Sequence, residues 1–205
     1  MNLWHLIKIG GVTMVILLAM SVVSLAIILE RIIFYRSKSK IKRKDFMLQV
    51  RQELKKAGVN PAIKICELNS APFSQVVYAG LSFFDCSEKE ISNNMERQII
   101  IETVILERFT SVIGTIGSVA VYIGLLGTIL GILRAFHDVS ISGSGGISVI
   151  IGGISEALST TAAGLTIAVP AVAIYNYCMK KIDDFIKDME LAASETMDLI
   201  SAIKK

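Results

Sequence analysis

Residues Phe109–Leu133 read FTSVIGTIGSVAVYIGLLGTILGIL, a run without a single charged residue. A helix of this length is long enough to cross the hydrocarbon core of a membrane, which is about 30 Å thick. Two further runs have the same character: Ile9–Leu29 is uncharged, and Ile147–Met179 is uncharged except for Glu156. The sequence therefore predicts an all-α, polytopic membrane protein with three transmembrane helices.

The composition of the whole chain supports a membrane protein over a soluble enzyme. Of its 205 residues, 53% are hydrophobic and only 19% are charged, and the mean hydropathy is +0.61. The net charge of +3 is small, and no aromatic-interleaved basic stripe suggests a nucleic-acid partner. Cys66, Cys86 and Cys178 lack metal-ligand or disulfide spacing, which is typical of small apolar residues in a reducing compartment.

The charges that flank the three runs predict their orientation. Basic residues crowd the end of the first run, whereas Lys8 stands alone before it; they are Arg31, Arg36, Lys38, Lys40, Lys42, Arg43 and Lys44. Because cytoplasmic flanks are enriched in Lys and Arg, the N-terminus is predicted outside and the C-terminus inside. The basic run 36–44 either binds anionic lipid head groups or only sets this topology.

Six segments follow from these limits. They are an outside N-terminus with the first transmembrane helix (1–34), a cytoplasmic helical segment (35–108), the second transmembrane helix (109–136), an outer loop (137–146), the third transmembrane helix (147–179) and a cytoplasmic C-terminal helix (180–205). The outer loop includes Ser142–Gly146, a glycine- and serine-rich stretch that predicts flexibility.

Apolar residues recur at helical spacing through the cytoplasmic segment. One helix carries Phe46, Val50, Leu54 and Ala57 and ends at Gly58; Asn60 is the expected cap of the next helix, with Pro61 in its first turn. A further stripe is formed by Phe73, Val76, Val77, Gly80, Leu81 and Phe84.

Two of the spanning helices are predicted to extend into the cytoplasm. Ser87 and Glu90 have the spacing of a capping box, and a helix that starts there is expected to run from Glu88 to Phe136 without interruption. The third is expected to continue past Lys180 into the tail, where the apolar spacing persists.

Glycine is concentrated on the second and third spanning helices and predicts close helix packing. The expected packing residues are Gly114, Gly117, Gly124, Gly127, Gly131 and Gly164. Gly127 and Gly131 also form a GxxxG motif. Pro170 removes a backbone hydrogen bond in the third helix and predicts a kink there.

Polar side chains within the apolar runs are the candidate functional residues. Glu156, Ser159 and Thr160 share one helical face, and Thr161 flanks it. An ionisable group at such depth often marks an ion path, although pairing of Glu156 with Arg134 at the membrane boundary is an alternative. The hydroxyl of Thr128 must either bond its own helix or face a polar path.

Enzyme chemistry has little support in this sequence. HExxH, Walker and GxSxG motifs are absent, and His5 and His137 are far apart. We therefore expect no enzymatic activity, no catalytic residues, no metal and no cofactor. Work by such a protein would draw on an ion gradient, which supplies about 2.3 kcal/mol per charge for every 100 mV.

Two stretches resemble the MotA/TolQ/ExbB proton-channel family, and its ExbB and TolQ members most. They are IGLLGTILGI at 123–132 and EALSTTAAGL at 156–165, followed by AVPA at 168–171 and by Tyr175-Asn176. MotA-like stators usually have four spanning helices and a larger cytoplasmic domain, which disfavours a flagellar role.

The resemblance implies a homo-oligomeric ring, a pentamer in this family, around a central pore in the bacterial inner membrane. It implies a dimer of single-span ExbD-like or TolR-like partners in the pore, each with a membrane aspartate that carries protons. Thr128 and Thr161 would face that aspartate, and Glu156 would lie near the pore. Proton flow would then drive a TonB-like or TolA-like protein that acts on the outer membrane.

Several functions stay open at this point. An ExbB-like motor subunit leads, and a TolQ-like subunit of an envelope-maintenance motor shares the same motifs. A self-sufficient channel and a passive membrane scaffold are alternatives of other classes. Because the chain has no carboxylate at the depth of Thr128 and Thr161, a proton relay at that depth needs a carboxylate from a partner.

Overall fold

The computed structural model describes residues 3–142 and 147–204, and this part of the chain is helical without any strand. The helices are α1 (Leu3–Lys38), α2 (Arg43–Lys56), α3 (Val59–Glu67), α4 (Pro72–Ser82), α5 (Glu88–Glu107), α6 (Thr110–Ser142) and α7 (Ile147–Lys204). Of these, α1, α6 and α7 are long and apolar enough to cross a membrane. The prediction of an all-α protein with three spanning helices is confirmed.

The chain divides into two compact units. The first unit comprises Met1–Glu30 and Phe109–Tyr177 and contains the three apolar runs. The second unit comprises Arg31–Arg108 and Cys178–Lys205. The continuous α7 confirms the prediction that the third spanning helix extends through the tail.

Alanines and larger aliphatic side chains form the core of the first unit together. Leu17, Ala120 and Ala168 are buried together, and a second cluster joins Ile113 with Ala171. Much of the surface of this unit is apolar. Its large exposed side chains include Val12, Val22, Leu25, Ile129, Leu133, Ile151 and Val169. Such a surface requires lipid or other protein chains around it.

Gly11 interrupts the helical geometry of α1. Its φ of 55° and ψ of −146° lie outside the helical region, in a conformation that side chains other than glycine rarely adopt. The first apolar run is therefore a kinked helix, a feature that its uniform hydrophobicity did not indicate.

The second unit packs α2 to α5 against the C-terminal part of α7. The rings of Phe46 and Phe73 lie 5.3 Å apart between their centroids, and Gly80 allows close packing because a β-carbon there would lie 2.6 Å from Sδ of Met95. Arg43 on α2 donates hydrogen bonds to Asp188 and Glu195 on α7. Apolar packing and an ion-pair network thus hold this unit together.

The local predictions for this unit succeed in part. Phe46, Val50 and Leu54 are buried on one face of α2 as expected. The expected cap at Asn60 is wrong, because α3 begins at Val59 with Gly58 as its N-cap. Gly58 has a φ of 87°, which lets the chain turn sharply and start the helix earlier than the polar side chain suggests.

The stripe of α4 is shorter than expected. Phe73, Val76, Val77, Gly80 and Leu81 are buried on α4, whereas Phe84 lies beyond Ser82, where the helix ends.

The capping box at the start of α5 is confirmed. The Ser87 side chain accepts a hydrogen bond from the Glu90 backbone, and the Glu90 side chain accepts one from the Ser87 backbone. The prediction of one helix from Glu88 to Phe136 is wrong, however, because α5 ends at Glu107 and α6 begins at Thr110. Phe109 lies between them with a φ of 65°.

Side chains from α1 stabilise this break. Ending α5 leaves the carbonyl groups of its last turn without helical partners. Nη1 of Arg31 lies 3.4 Å from the carbonyl oxygen of Ile105 and 3.5 Å from that of Leu106, and the Tyr35 hydroxyl donates to Leu106 at 3.0 Å. The positive charge of Arg31 also interacts favourably with the negative C-terminal end of the α5 helix dipole.

The region beyond α6 differs from the predicted loop. α6 continues to Ser142, so His137 to Ser142 are helical, and residues 143–146 of the expected flexible stretch lie outside the described residues. α7 continues on both sides of Pro170, and a kink at that proline stays a prediction.

Candidate functional site

Close contact between α6 and α7 builds the site. A β-carbon at Gly117 would lie 2.7 Å from Cγ2 of Val172, and one at Gly131 would lie 2.7 Å from Cβ of Ala157. The other glycines singled out from the sequence, Gly114, Gly124, Gly127 and Gly164, also face the opposite helix. The absence of side chains at these positions lets the two backbones approach each other.

Three threonines converge on one carbonyl group at this contact. The Oγ1 atoms of Thr128 and Thr161 lie 3.1 Å from the Gly124 carbonyl oxygen, and that of Thr160 lies 3.2 Å from it. The Thr128 and Thr161 hydroxyls also hydrogen bond with each other. We call Thr128, Thr160 and Thr161 the threonine cluster.

The members of the threonine cluster differ in exposure. Thr160 is only 1% exposed, and its hydroxyl also donates to the Ala157 carbonyl at 2.7 Å. Thr128 and Thr161 are half-buried. Thr160 thus lies between α6 and α7 of one chain, and its place in a pore lining stays a prediction.

The chemistry of a hydroxyl pair suits a group that gains and loses a proton. A hydroxyl both donates and accepts hydrogen bonds. Each hydroxyl carries one hydrogen, so a member of the pair can turn it from the Gly124 carbonyl to an ionised carboxylate, and both oxygens can accept from the same carboxyl once it is protonated. A carboxyl in contact with the pair keeps hydrogen bonds in both of its states.

A cavity of about 390 Å³ lies beside the threonine cluster in the first unit. Its lining includes Thr13 from α1, Arg134 and Asp138 from α6, and Glu156 and Thr160 from α7. We call it the Arg134 cavity. Both signs of charge and two buried hydroxyls are thus present in one small space.

Glu156 is half-buried in this cavity. Among the described residues, no ion pair joins Glu156 to Arg134, although both line the same space. The alternative in which Glu156 is paired with Arg134 is therefore absent from the isolated chain. Ser159 donates to the Ser155 carbonyl at 3.0 Å and does not line the cavity.

The exposed face of α6 changes character along its length. Its N-terminal half presents hydroxyl groups, from Ser111, Thr115, Ser118 and Tyr122, whereas its C-terminal half presents Leu125, Ile129, Leu133 and Phe136. The Thr115 and Ser118 hydroxyls donate to carbonyl groups four residues earlier, which leaves their oxygen lone pairs available as acceptors. One half of this face is therefore suited to polar neighbours.

Sequence reasoning missed the contribution of α1 to the site. Thr13 lines the Arg134 cavity and is 7% exposed, and a β-carbon at Gly11 would lie 2.9 Å from Nη1 of Arg134. The glycine pair at positions 10 and 11, unusual in a run of bulky aliphatic residues, was the available signal.

Two titratable groups of the second unit have shifted pKa values. Burial raises the pKa of the Cys66 thiol to about 12, so it stays protonated and unreactive. Burial also raises the pKa of Glu102, although nearby Lys38 and a hydrogen bond from Gln98 oppose the shift. The described residues include no group of three or more His, Cys, Asp or Glu side chains that could hold a metal ion.

Comparison with known proteins assigns the family. Residues 69–191 match the MotA/TolQ/ExbB proton channel family, and the chain belongs to it. The match includes α4, α5, α6 with Thr128, and the part of α7 that carries Thr160 and Thr161.

Similar curated proteins carry ExbB names. A "putative biopolymer transport protein ExbB homolog" of Methanothermobacter thermautotrophicus is 28% identical over 91% of this chain and 66% of its own length. A "putative biopolymer transport protein ExbB-like 3" of Synechocystis is 33% identical over 82% of this chain and 80% of its own. The "biopolymer transport protein ExbB" of Salmonella typhimurium is 29% identical over 92% of this chain and 80% of its own length.

Proposed function

We propose that this chain is the ring-forming subunit of an ExbB–ExbD–TonB-like motor, which uses the proton motive force to energise transport across an outer membrane. Several copies, five by the family pattern, would surround two single-span ExbD-like partners. Each partner would bring a membrane aspartate to the threonine cluster. The observation that carries this proposal is the contact of Thr128 and Thr161 on the Gly124 carbonyl.

The need for a partner follows from what the apolar runs contain. No Asp or Glu occurs between Phe109 and Leu133, and Glu156 precedes Thr161 by five residues, about 7.5 Å along a helix. A proton cannot cross an apolar region without a group that binds it. Hydroxyls stabilise a charged carboxylate but do not carry the proton at neutral pH, so a partner carboxyl would have to do so.

The proposed location is the bacterial inner membrane, with the N-terminus in the periplasm and the C-terminus in the cytoplasm. Basic residues 36–44 support this orientation. In this topology the Arg134 cavity opens on the periplasmic half and the hydroxyl-bearing half of α6 lies on the cytoplasmic half. Glu156 would receive protons from the periplasm. The protons would then leave toward the cytoplasm past the exposed hydroxyl groups in the N-terminal half of α6.

The names of the relatives support an ExbB-like role over a TolQ-like one. The reported relatives are described as biopolymer transport proteins of the ExbB kind. We therefore propose a role in transport for this chain, in which proton flow would move a TonB-like protein.

The experiment is co-purification followed by reconstitution. We expect the chain to co-purify with a single-span protein that carries an aspartate in its membrane helix. Proteoliposomes with both proteins should conduct protons, whereas the chain alone, or the complex with that aspartate changed to asparagine, should not. Conduction by the chain alone would indicate a self-sufficient channel, and a complex without proton flux would indicate a scaffold.

A further inference from the structure

The Arg134 cavity contains a feature that proton conduction alone does not require. Its lining includes the guanidinium group of Arg134 together with the carboxylates of Asp138 and Glu156. The hydroxyls of Thr13 and Thr160 line the same space. A cavity with two carboxylates and hydroxyl oxygens, without that guanidinium, would be a favourable place for a hard monovalent cation, which prefers oxygen ligands.

The position of the guanidinium depends on the kink in α1. A β-carbon at Gly11 would lie 2.9 Å from Nη1 and 3.8 Å from Cζ of Arg134. The guanidinium is therefore in contact with the backbone of α1 at the residue where that helix departs from helical geometry. Glycine meets two requirements at position 11, because it accepts the φ of 55° and leaves room for the Arg134 head group.

Among the described residues, the positive charge of Arg134 is not paired with the carboxylate of Glu156. A guanidinium stays protonated at every physiological pH, so the cavity always contains one positive charge on a side chain whose head group rests against α1.

A proton and a sodium ion respond differently to such a fixed cation. A proton binds one lone pair of a carboxylate oxygen of Glu156 and leaves again when the carboxylate is restored; it needs no space of its own. Sodium needs several oxygen ligands around it at once, in a space whose lining also carries the positively charged guanidinium of Arg134. Fixed charges and pore-lining groups of this kind determine selectivity in other ion pathways.

We propose that Arg134 is the ion-selectivity residue of the proton pathway, in which its guanidinium, held against Gly11, takes the place of a counter-cation and so excludes sodium from the carboxylates of the cavity. This inference rests on the proposed function, since it concerns the same pathway. Arg134 acts here as a positioning and electrostatic residue and carries no proton itself.

The test uses the complete complex in proteoliposomes. Proton flux is driven by a fixed membrane potential and measured with sodium chloride or with the chloride of the bulky cation N-methyl-D-glucamine outside. The wild-type flux should be the same in both salts. In Arg134→Gln, which removes the charge and adds an amide oxygen, sodium should reduce proton flux about tenfold, the scale expected when one full charge near a carboxylate is lost.

Matched variants separate charge from volume. Arg134→Lys keeps the positive charge and should remain largely insensitive to sodium. Gly11→Ala keeps the arginine but forces its head group away, and it should acquire sodium sensitivity. Gly152→Ala adds a methyl group to the lining of the same cavity, where a β-carbon meets no atom within 4 Å, and it should show no sodium effect.

The outcomes distinguish this inference from the function on which it rests. A wild-type complex without any proton flux contradicts the proposed function. A conducting wild type together with an Arg134→Gln complex whose flux ignores sodium overturns the selectivity role alone. If Arg134→Gln does not assemble, an assembled Gly11→Ala complex that is insensitive to sodium overturns it equally.

Discussion

Replacing Thr161 by valine removes one hydroxyl from the threonine cluster and keeps a side chain of similar shape. The Gly124 carbonyl retains the Thr128 hydroxyl as a hydrogen-bond donor at 3.1 Å, and the Thr160 hydroxyl, which also donates to Ala157, lies 3.2 Å from it. We therefore expect the helix contact to survive, because no buried carbonyl is left without a partner. The substitution should instead affect the carboxyl group of the partner chain, which would lose its hydrogen bond with the Thr161 hydroxyl.

The two effects differ in size. A neutral hydrogen bond contributes about 1 kcal/mol to stability, and here the loss is smaller because Gly124 keeps other donors. A hydrogen bond to an ionised carboxylate in a protein interior is worth about 1.5–3 kcal/mol. If that free energy is lost from the step in which the partner carboxylate forms, proton transfer slows about 10- to 160-fold.

The assay is proton flux through the reconstituted complex, measured together with its assembly and its thermal unfolding midpoint. Thr161→Ser keeps the hydroxyl and serves as the matched control, with flux near that of the wild type. Wild-type flux in an assembled Thr161→Val complex would refute the reasoning, since the hydroxyl would then have no part in proton transfer.

Two other substitutions probe packing and burial. Gly164→Ala should destabilise the α6–α7 contact by about 1–3 kcal/mol or more, because its β-carbon would lie 2.6 Å from the carbonyl oxygen of Ala120 and 3.1 Å from Cα of Gly124, and backbone atoms cannot rotate away. Glu102→Gln should raise the unfolding midpoint at neutral pH but not at mildly acidic pH. Burial raises the pKa of Glu102 above its ordinary 4.5. Between the pKa of the unfolded state and that of the folded state, the folded protein retains a proton that the unfolded chain releases. The stability of the wild type therefore falls as the pH rises from the lower to the higher of these two pKa values.

Controls are available within the chain for both substitutions. Gly152→Ala, whose β-carbon contacts nothing within 4 Å, should leave the unfolding midpoint unchanged or slightly higher, and equal losses at positions 152 and 164 would contradict the packing argument. For Glu102, unfolding midpoints of wild type and Glu102→Gln that run parallel from acidic to neutral pH would show that its burial carries no proton-linked cost.

The spans and the capping box of α5 could be predicted because they depend on the local sequence. The uncharged run Phe109–Leu133 indicates a membrane helix by itself, and Ser87 with Glu90 indicates a helix start by spacing alone. The break at Phe109 could not be predicted in this way. No glycine or proline marks it, and its stability comes from Arg31 and Tyr35, which are more than 70 residues away in sequence.

The candidate site was predictable in its residue types but not in its arrangement. The hydroxyls of Thr128 and Thr161 stand out in apolar runs, yet their meeting at the Gly124 carbonyl depends on how closely α6 approaches α7. The role of Gly11 depends on a single non-helical φ in α1. Contacts between helices set both features, and hydrophobic periodicity contains no information about such contacts.

The most direct test of the central claim is an experimental density map of the chain assembled with its single-span partner in lipid. The account predicts several copies around the partner, with the Thr128 and Thr161 hydroxyls within hydrogen-bond distance of a partner carboxyl. A map in which these two hydroxyls face acyl chains, or in which the copies enclose no partner helix, would contradict it.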